Sequence, residues 1–324
     1  MRAIVVHEPG PPEVLRLEER PIPEPRPGWA LIEVKAFGLN RSEMFTRQGH
    51  SPGVEFPRVL GIECTGMVVA APQTGLVAGQ TVVAVMGQMG RAYDGGYAEY
   101  ALIPATQVMP VRTELPWETL AALPETFLTA WEALFDALDL QPGQTLLIRG
   151  GTSALGMAAA NLAVRVGATV IATTRQEHKR ASLLDNGASQ VVIDSGQIAP
   201  AVRALYPAGV DAVLELVGTV TLLDSLQLVR PRGCVCFAGI LGNAWALDHF
   251  EPFAIPSTVR LTSYSSEGIT AAGATAAMQA IADGVAAGHY RVNLDRVFAM
   301  DEIVAAHRYM ESNQATGKLV VRTG

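Results

Sequence analysis

Residues 145–160 read TLLIRGGTSALGMAAA, and the fold follows from this stretch. An apolar run from Thr145 to Ile148 breaks at Gly150 and Gly151, and small apolar residues then continue as good helix formers. Strand, glycine turn and helix, in that order, make a diphosphate site. The bare backbone turns tightly, Gly156 lets the helix pass close to the strand, and the helix N-terminus offers unpaired N–H groups with a positive dipole end. The usual G-x-G-x-x-G pattern is imperfect, because Ser153 holds the middle glycine position; serine is small, and a contact of its hydroxyl with phosphate is expected. A glycine turn with no ligand is the plain alternative, and the surrounding pattern decides against it.

That pattern is alternation. Apolar strands are expected at 145–149, 169–174, 190–193, 212–216 and 234–238, with helices at 155–166, 177–186, 199–205 and 221–228. Continuous apolar strands separated by helices mean a parallel sheet covered on both faces. Upstream, 117–138 reads as helix interrupted by Pro124, and the first third is β-rich, with strands at 2–6, 30–37, 66–70 and 81–85 between Pro/Gly stretches. Downstream, a strand at 259–263, helices at 270–287 and 301–313 and a last strand at 318–322 read as a return to the first domain. The expected fold class is α/β: a doubly wound parallel Rossmann sheet over 121–256, and a split, mostly β domain over 1–120 and 257–324.

Charge selects the dinucleotide. An NAD site places a carboxylate about 20 residues after the turn to hold the ribose hydroxyls. Residues 157–176 contain no Asp or Glu; the second strand instead ends at Thr174 and Arg175, with Lys179 a turn later. A guanidinium and an ammonium there suit a 2′-phosphate, so NADP is the expected cofactor. Its diphosphate would rest on Gly151, Thr152, Ser153, Ala154, Leu155 and Gly156.

Composition excludes other classes. Hydrophobic residues make up 49% and charged ones 17%, which supplies two cores and argues against disorder. A net charge of −7 without a basic cluster argues against nucleic acid or an anionic membrane as main partner. No run approaches the ~18 apolar residues of a membrane span, and no signal-peptide core precedes the first strand. Three cysteines, Cys64, Cys234 and Cys236, cannot form an even disulfide framework, so reduced thiols in the cytoplasm are expected.

Several short motifs, in order, resemble the medium-chain dehydrogenase/reductase superfamily, in its zinc-independent quinone oxidoreductase (zeta-crystallin-like) branch. They are GLNRSE at 38–43, PRVLGIECTG at 57–66, DGGYAEY at 94–100, Leu123 with Pro124, Leu128 with Thr129 and Trp131, the glycine turn, and GKLVV at 317–321. The resemblance covers nearly the whole chain. It implies a GroES-like catalytic domain around the Rossmann domain, with the cofactor in the cleft between them. By position Thr129, Val217, Gly218, Phe237, Ala238, Gly239 and Lys318 join the cofactor set. Asn40, with His50, Tyr93 and Tyr264, would line the substrate side. It also implies a homodimer joined through an edge strand of the cofactor sheet, placed at 234–238.

Zinc-dependent relatives carry Cys-x-Thr-Asp and Gly-His-Glu. Here those places hold Asn40, Ser42 and Glu43, and Gly61, Ile62 and Glu63; an amide and an alkyl chain replace thiolate and imidazole. No cysteine lies within 86–100, and the histidines show no H-x-x-x-H spacing, so no metal is expected. Without a Lewis acid to stabilise an alkoxide, reduction is the expected direction. The developing oxyanion needs a donor, first Asn40, then Ser42, with Glu43 a candidate for proton delivery; Glu43 and Glu63 as buried scaffold carboxylates is the alternative. The expected activity is NADPH-dependent reduction of a quinone or similar small carbonyl. An alkenal or enoyl reductase, and an NADPH-binding module without turnover, stay open.

Overall fold

The computed structural model describes all 324 residues and divides the chain into two compact units. One comprises Met1–Leu128, Ser266–Gly288 and Leu294–Gly324; the other comprises Thr129–Ser265 and His289–Asn293.

The second unit is a six-stranded sheet. Its strands, in chain order, are Thr145–Arg149, Thr169–Thr174, Gln190–Ile193, Val210–Glu215, Val229–Phe237 and Arg260–Ser263. Numbered that way they lie side by side as third, second, first, fourth, fifth, sixth, and every pairing is parallel. This is the doubly wound Rossmann order. Right-handed crossovers place the helices made before and after the reversal on opposite faces. The reversal falls beside Thr145–Arg149, so the glycine turn stands at the point where neighbouring connections diverge. The core is aliphatic, including Leu147, Ile171, Val213, Leu226 and Val235. Each such buried side chain contributes about 1.5–3 kcal/mol.

The expected edge strand is a correction. Residues 234–238 lie inside the sheet: Cys234 and Cys236 pair with Ala212 and Leu214 on one side and with Arg260 and Thr262 on the other. An uncharged apolar run suits a strand enclosed on all sides, whereas the outer strand, Arg260–Ser263, carries an exposed arginine. The three cysteines are buried and free. The helix expected at 177–186 begins as a 3₁₀ turn, Glu177–Lys179, before Arg180–Asp185.

The first unit is mostly antiparallel. A seven-stranded sheet centres on the long strand Trp29–Gly38, which pairs with Glu63–Ala70, Tyr100–Pro104 and Lys318–Arg322. A three-stranded sheet sets Leu15–Glu19, Arg2–Val6 and Arg58–Val59 together. The strand Leu294–Ala299, unanticipated from sequence, runs parallel to Lys318–Arg322. Ile4, Ile32, Phe37, Val82, Ile103 and Val321 belong to one buried core.

Candidate functional site

The glycine turn is held from beneath. Gly150 has φ +90°, a left-handed conformation that glycine adopts without penalty. Its N–H donates to Thr173 Oγ1 at 3.1 Å, and the Gly151 N–H donates to the Thr173 carbonyl at 3.0 Å. A Cβ on Gly156 would stand 2.6 Å from the Gly150 carbonyl oxygen, so only glycine permits this approach. Ser153 caps the helix Ala154–Arg165: its Oγ accepts from the Gly156 N–H at 3.0 Å and donates to the Gly150 carbonyl at 2.8 Å. That corrects the expected phosphate contact of this hydroxyl, whose hydrogen is used inside the turn. The N–H groups of Ala154 and Leu155, half-buried in the first helical turn, have no acceptor in the chain. Thr152 beside them is also half-buried.

The neighbouring strand ends supply the rest. Thr174 is buried, its Oγ1 accepting from the Gln176 N–H at 3.2 Å, while Arg175 is exposed. Lys179, expected to face a 2′-phosphate together with Arg175, is buried in the 3₁₀ turn. After the fourth strand, the N–H groups of Val217 and Gly218 both donate to Glu215 Oε1, at 2.7 and 2.9 Å. After the fifth, the Ala238 N–H donates to the Glu215 carbonyl at 2.9 Å, and a Cβ on Gly239 would lie 2.7 Å from the Leu216 carbonyl oxygen. Phe237, Ala238 and Gly239 are half-buried, and Thr129 is buried on the helix Pro124–Glu132.

The first unit gathers a second set. Asn40 precedes the helix Arg41–Arg47, and Glu43 closes back on it, Oε2 accepting the Asn40 N–H at 2.9 Å and Oε1 the Ile62 N–H at 3.0 Å. The Asn40 amide donates to Glu63 Oε1 at 2.9 Å and to Glu43 Oε1 at 3.4 Å, and its oxygen accepts from Lys318 Nζ at 2.5 Å. Lys318 also pairs with Glu63 at 2.6 Å, and Glu63 Oε2 accepts the Glu125 N–H at 2.8 Å. Burial raises the Glu43 carboxyl to about 7. Burial, and then the neighbouring Glu63, raises that of Glu125 to about 8.

Three expectations are corrected. Both Asn40 amide hydrogens are engaged by carboxylates, so it is poorly placed to serve an oxyanion first. Glu43 is a buried carboxylate that ties down a helix start and a strand entry. Lys318 is buried in an ion pair of the first unit and does not present itself to a phosphate. Ser42 keeps a hydrogen to give: its Oγ accepts from Arg91 Nη2 at 2.8 Å and donates to nothing in the chain. His50 is exposed beside Phe45. Tyr93 packs edge-on against Trp29, its phenol pushed to about 12 by burial. Tyr264 belongs to the second unit and donates to Glu132 Oε2 at 2.5 Å.

Sequence reasoning missed Arg91, Glu125, Glu215 and Arg149. The only advance signal was charge within apolar runs, as at Arg149 ending TLLIR and Glu215 inside a strand. No group of three His, Cys, Asp or Glu side chains is arranged to hold a metal ion.

Comparison with known proteins defines the class. Residues 26–113 match the family described as alcohol dehydrogenase GroES-like domain, and 186–321 the one described as zinc-binding dehydrogenase. A quinone oxidoreductase of Rattus norvegicus is 30% identical over 249 residues, covering 75% of this chain and 74% of that protein. A 2-haloacrylate reductase of Burkholderia sp is 28% identical, covering 98% of both. A mycobacterial protein solved in complex with NADPH superimposes with a TM-score of 0.88 at 28% identity, over the full length of both chains. The chain belongs to the quinone oxidoreductase branch of the medium-chain dehydrogenase/reductase family, and is an oxidoreductase.

Proposed function

We propose that the protein is an NADPH-dependent reductase that passes a hydride to a quinone or similar small carbonyl acceptor and works without zinc. The observation that carries this reading is the second strand's end, where exposed Arg175 stands in place of the carboxylate an NAD site uses, together with the open amides of Ala154 and Leu155. The NADPH complex of the mycobacterial relative supports it.

The second unit is the dinucleotide domain in this reading, and the first is catalytic. Ala154 and Leu155 would hold the diphosphate and Arg175 the 2′-phosphate, with Gly218, Phe237 and Gly239 framing the nicotinamide. The cofactor supplies the hydride. The protein orients the acceptor, and the Ser42 hydroxyl, polarised by the Arg91 guanidinium behind it, donates a hydrogen bond to the oxygen that becomes negative. The donor set at Asn40 and Ile62 supports zinc independence, since neither side chain binds zinc. The free outer edge Arg260–Ser263, with Phe253 99% exposed upstream, supports a homodimer in place of the 234–238 edge. The three buried thiols suit the cytoplasm, and no helix is long and apolar enough to cross a membrane.

A second reading, reduction of an α,β-unsaturated acid or carbonyl, is favoured by the likeness to 2-haloacrylate reductase. Steady-state NADPH oxidation against quinones and enones, with chelator present, separates the two. Binding without turnover on any acceptor would instead mark a non-catalytic module. Arg175→Glu should weaken NADPH about 10- to 100-fold, the scale of a lost charge-assisted contact, and leave NADH nearly unchanged. Equal loss of both would refute the phosphate role.

A further inference from the structure

Arg149 ends the first strand of the parallel sheet, directly before the glycine turn, and is fully buried. All its donors are matched. Nε and Nη2 make a two-pronged contact with Asp194, at 2.9 and 3.0 Å, and Nη2 also reaches the Gly196 carbonyl. Nη1 serves Asp224 at 2.7 Å, Ser225 Oγ at 3.0 Å and the Thr221 carbonyl at 3.2 Å.

Two arms leave this guanidinium. Along one, Asp194 Oδ2 accepts from Thr173 Oγ1 at 3.3 Å, and that same hydroxyl accepts the Gly150 N–H. Along the other, Ser225 Oγ donates to Glu215 Oε2, while Glu215 Oε1 takes the N–H groups of Val217 and Gly218. One buried cation is therefore tied to the loops after the first and fourth strands, the two that flank the sheet's reversal. Without it, Asp194, Asp224 and Glu215 would stand as unbalanced carboxyls under a site meant for an anion.

We propose that Arg149 is a positioning residue for the dinucleotide site, holding the Gly150 turn through Asp194 and Thr173 and the Val217–Gly218 turn through Ser225 and Glu215. The proposal rests on the dinucleotide reading above. Arg149 touches neither phosphate nor nicotinamide in it; it sets how well the two loops are arranged before binding, and so acts on affinity and not on the hydride step.

Each arm can be cut without disturbing the ion pairs. Thr173→Val removes one bridging hydroxyl and Ser225→Ala the other. Each should raise the Kd and KM for NADPH about fivefold, the scale of one lost hydrogen bond, with kcat at saturating NADPH unchanged. Amide exchange should quicken at Gly150 in the first variant and at Gly218 in the second. Thr173→Ser, which restores the hydroxyl, should return Kd to the wild-type value. Folded variants with unaltered NADPH affinity would overturn the proposal, as would a fall in kcat with Kd unmoved. Wild-type protein that binds no NADPH would instead refute the dinucleotide reading, and this proposal with it.

Discussion

Arg149 in one unit and Lys318 in the other are both buried among carboxylates, yet they sit in different kinds of network. Around Arg149 every donor has an acceptor, and Asp194 and Asp224 are further fixed by main-chain N–H groups. Asp194 is held below the ordinary carboxylate range: hydrogen bonds and charge from Arg149 outweigh its burial. Around Lys318 one ammonium faces Glu63 directly, with Glu43 and Glu125 nearby, and those two carboxyls are pushed up to about 7 and 8. The planar fork gives a fixed clamp. The point charge leaves two neighbouring carboxyls that burial holds above the ordinary range.

The sharpest way to break this contrast is Arg149→Met. Leaving Asp194 and Asp224 buried without a cation should cost about 3–5 kcal/mol of unfolding free energy, read from urea midpoints, and the loss should be nearly the same at pH 6 and pH 8. Lys318→Met should cost ~3 kcal/mol at pH 8 and distinctly less at pH 5, where Glu43 and Glu125, raised to about 7 and 8, already hold their protons; equal losses at both values would erase the distinction.

Protonation itself gives the next test. A Glu43 pKa raised from 4.5 to about 7 means that its contribution to stability is full below about 4.5 and is lost as pH rises to about 7. Wild-type stability should therefore fall over that window, by at most about 1.4 kcal/mol per pH unit for one proton, and Glu43→Gln should flatten the slope. Smallest of all, Ser153→Ala removes a helix cap and should cost ~1 kcal/mol, independent of pH, by thermal melting.

Local sequence made the parallel unit legible. Strand, turn and helix at 145–160 need only neighbouring residues, and the alternation that follows repeats the same logic. What failed depended on distant partners. Leu15–Glu19 mixes charged and apolar residues and becomes a strand only by pairing with Arg2–Val6. The resemblance assigned Lys318 to the cofactor, but its amine meets Glu63 and Asn40, far away in sequence. The resemblance places the dimer edge at 234–238, yet the run's lack of charge suits the interior strand that it forms. Of the candidate site, the turn glycines are legible from their spacing. Arg149 is not, because a single arginine ending an apolar strand carries no sign that acidic residues await it on three later segments.

The central strand Trp29–Gly38 of the β-rich unit is completed by Lys318–Arg322, from the other end of the chain. A ribosome therefore releases the whole inserted segment Thr129–Ser265 before the last piece of that sheet exists. The nascent N-terminal strands must wait with an open flank, while the parallel unit has nearly all of its own residues to hand. Synthesis order thus lets the inserted unit complete its sheet before the β-rich unit can close its own.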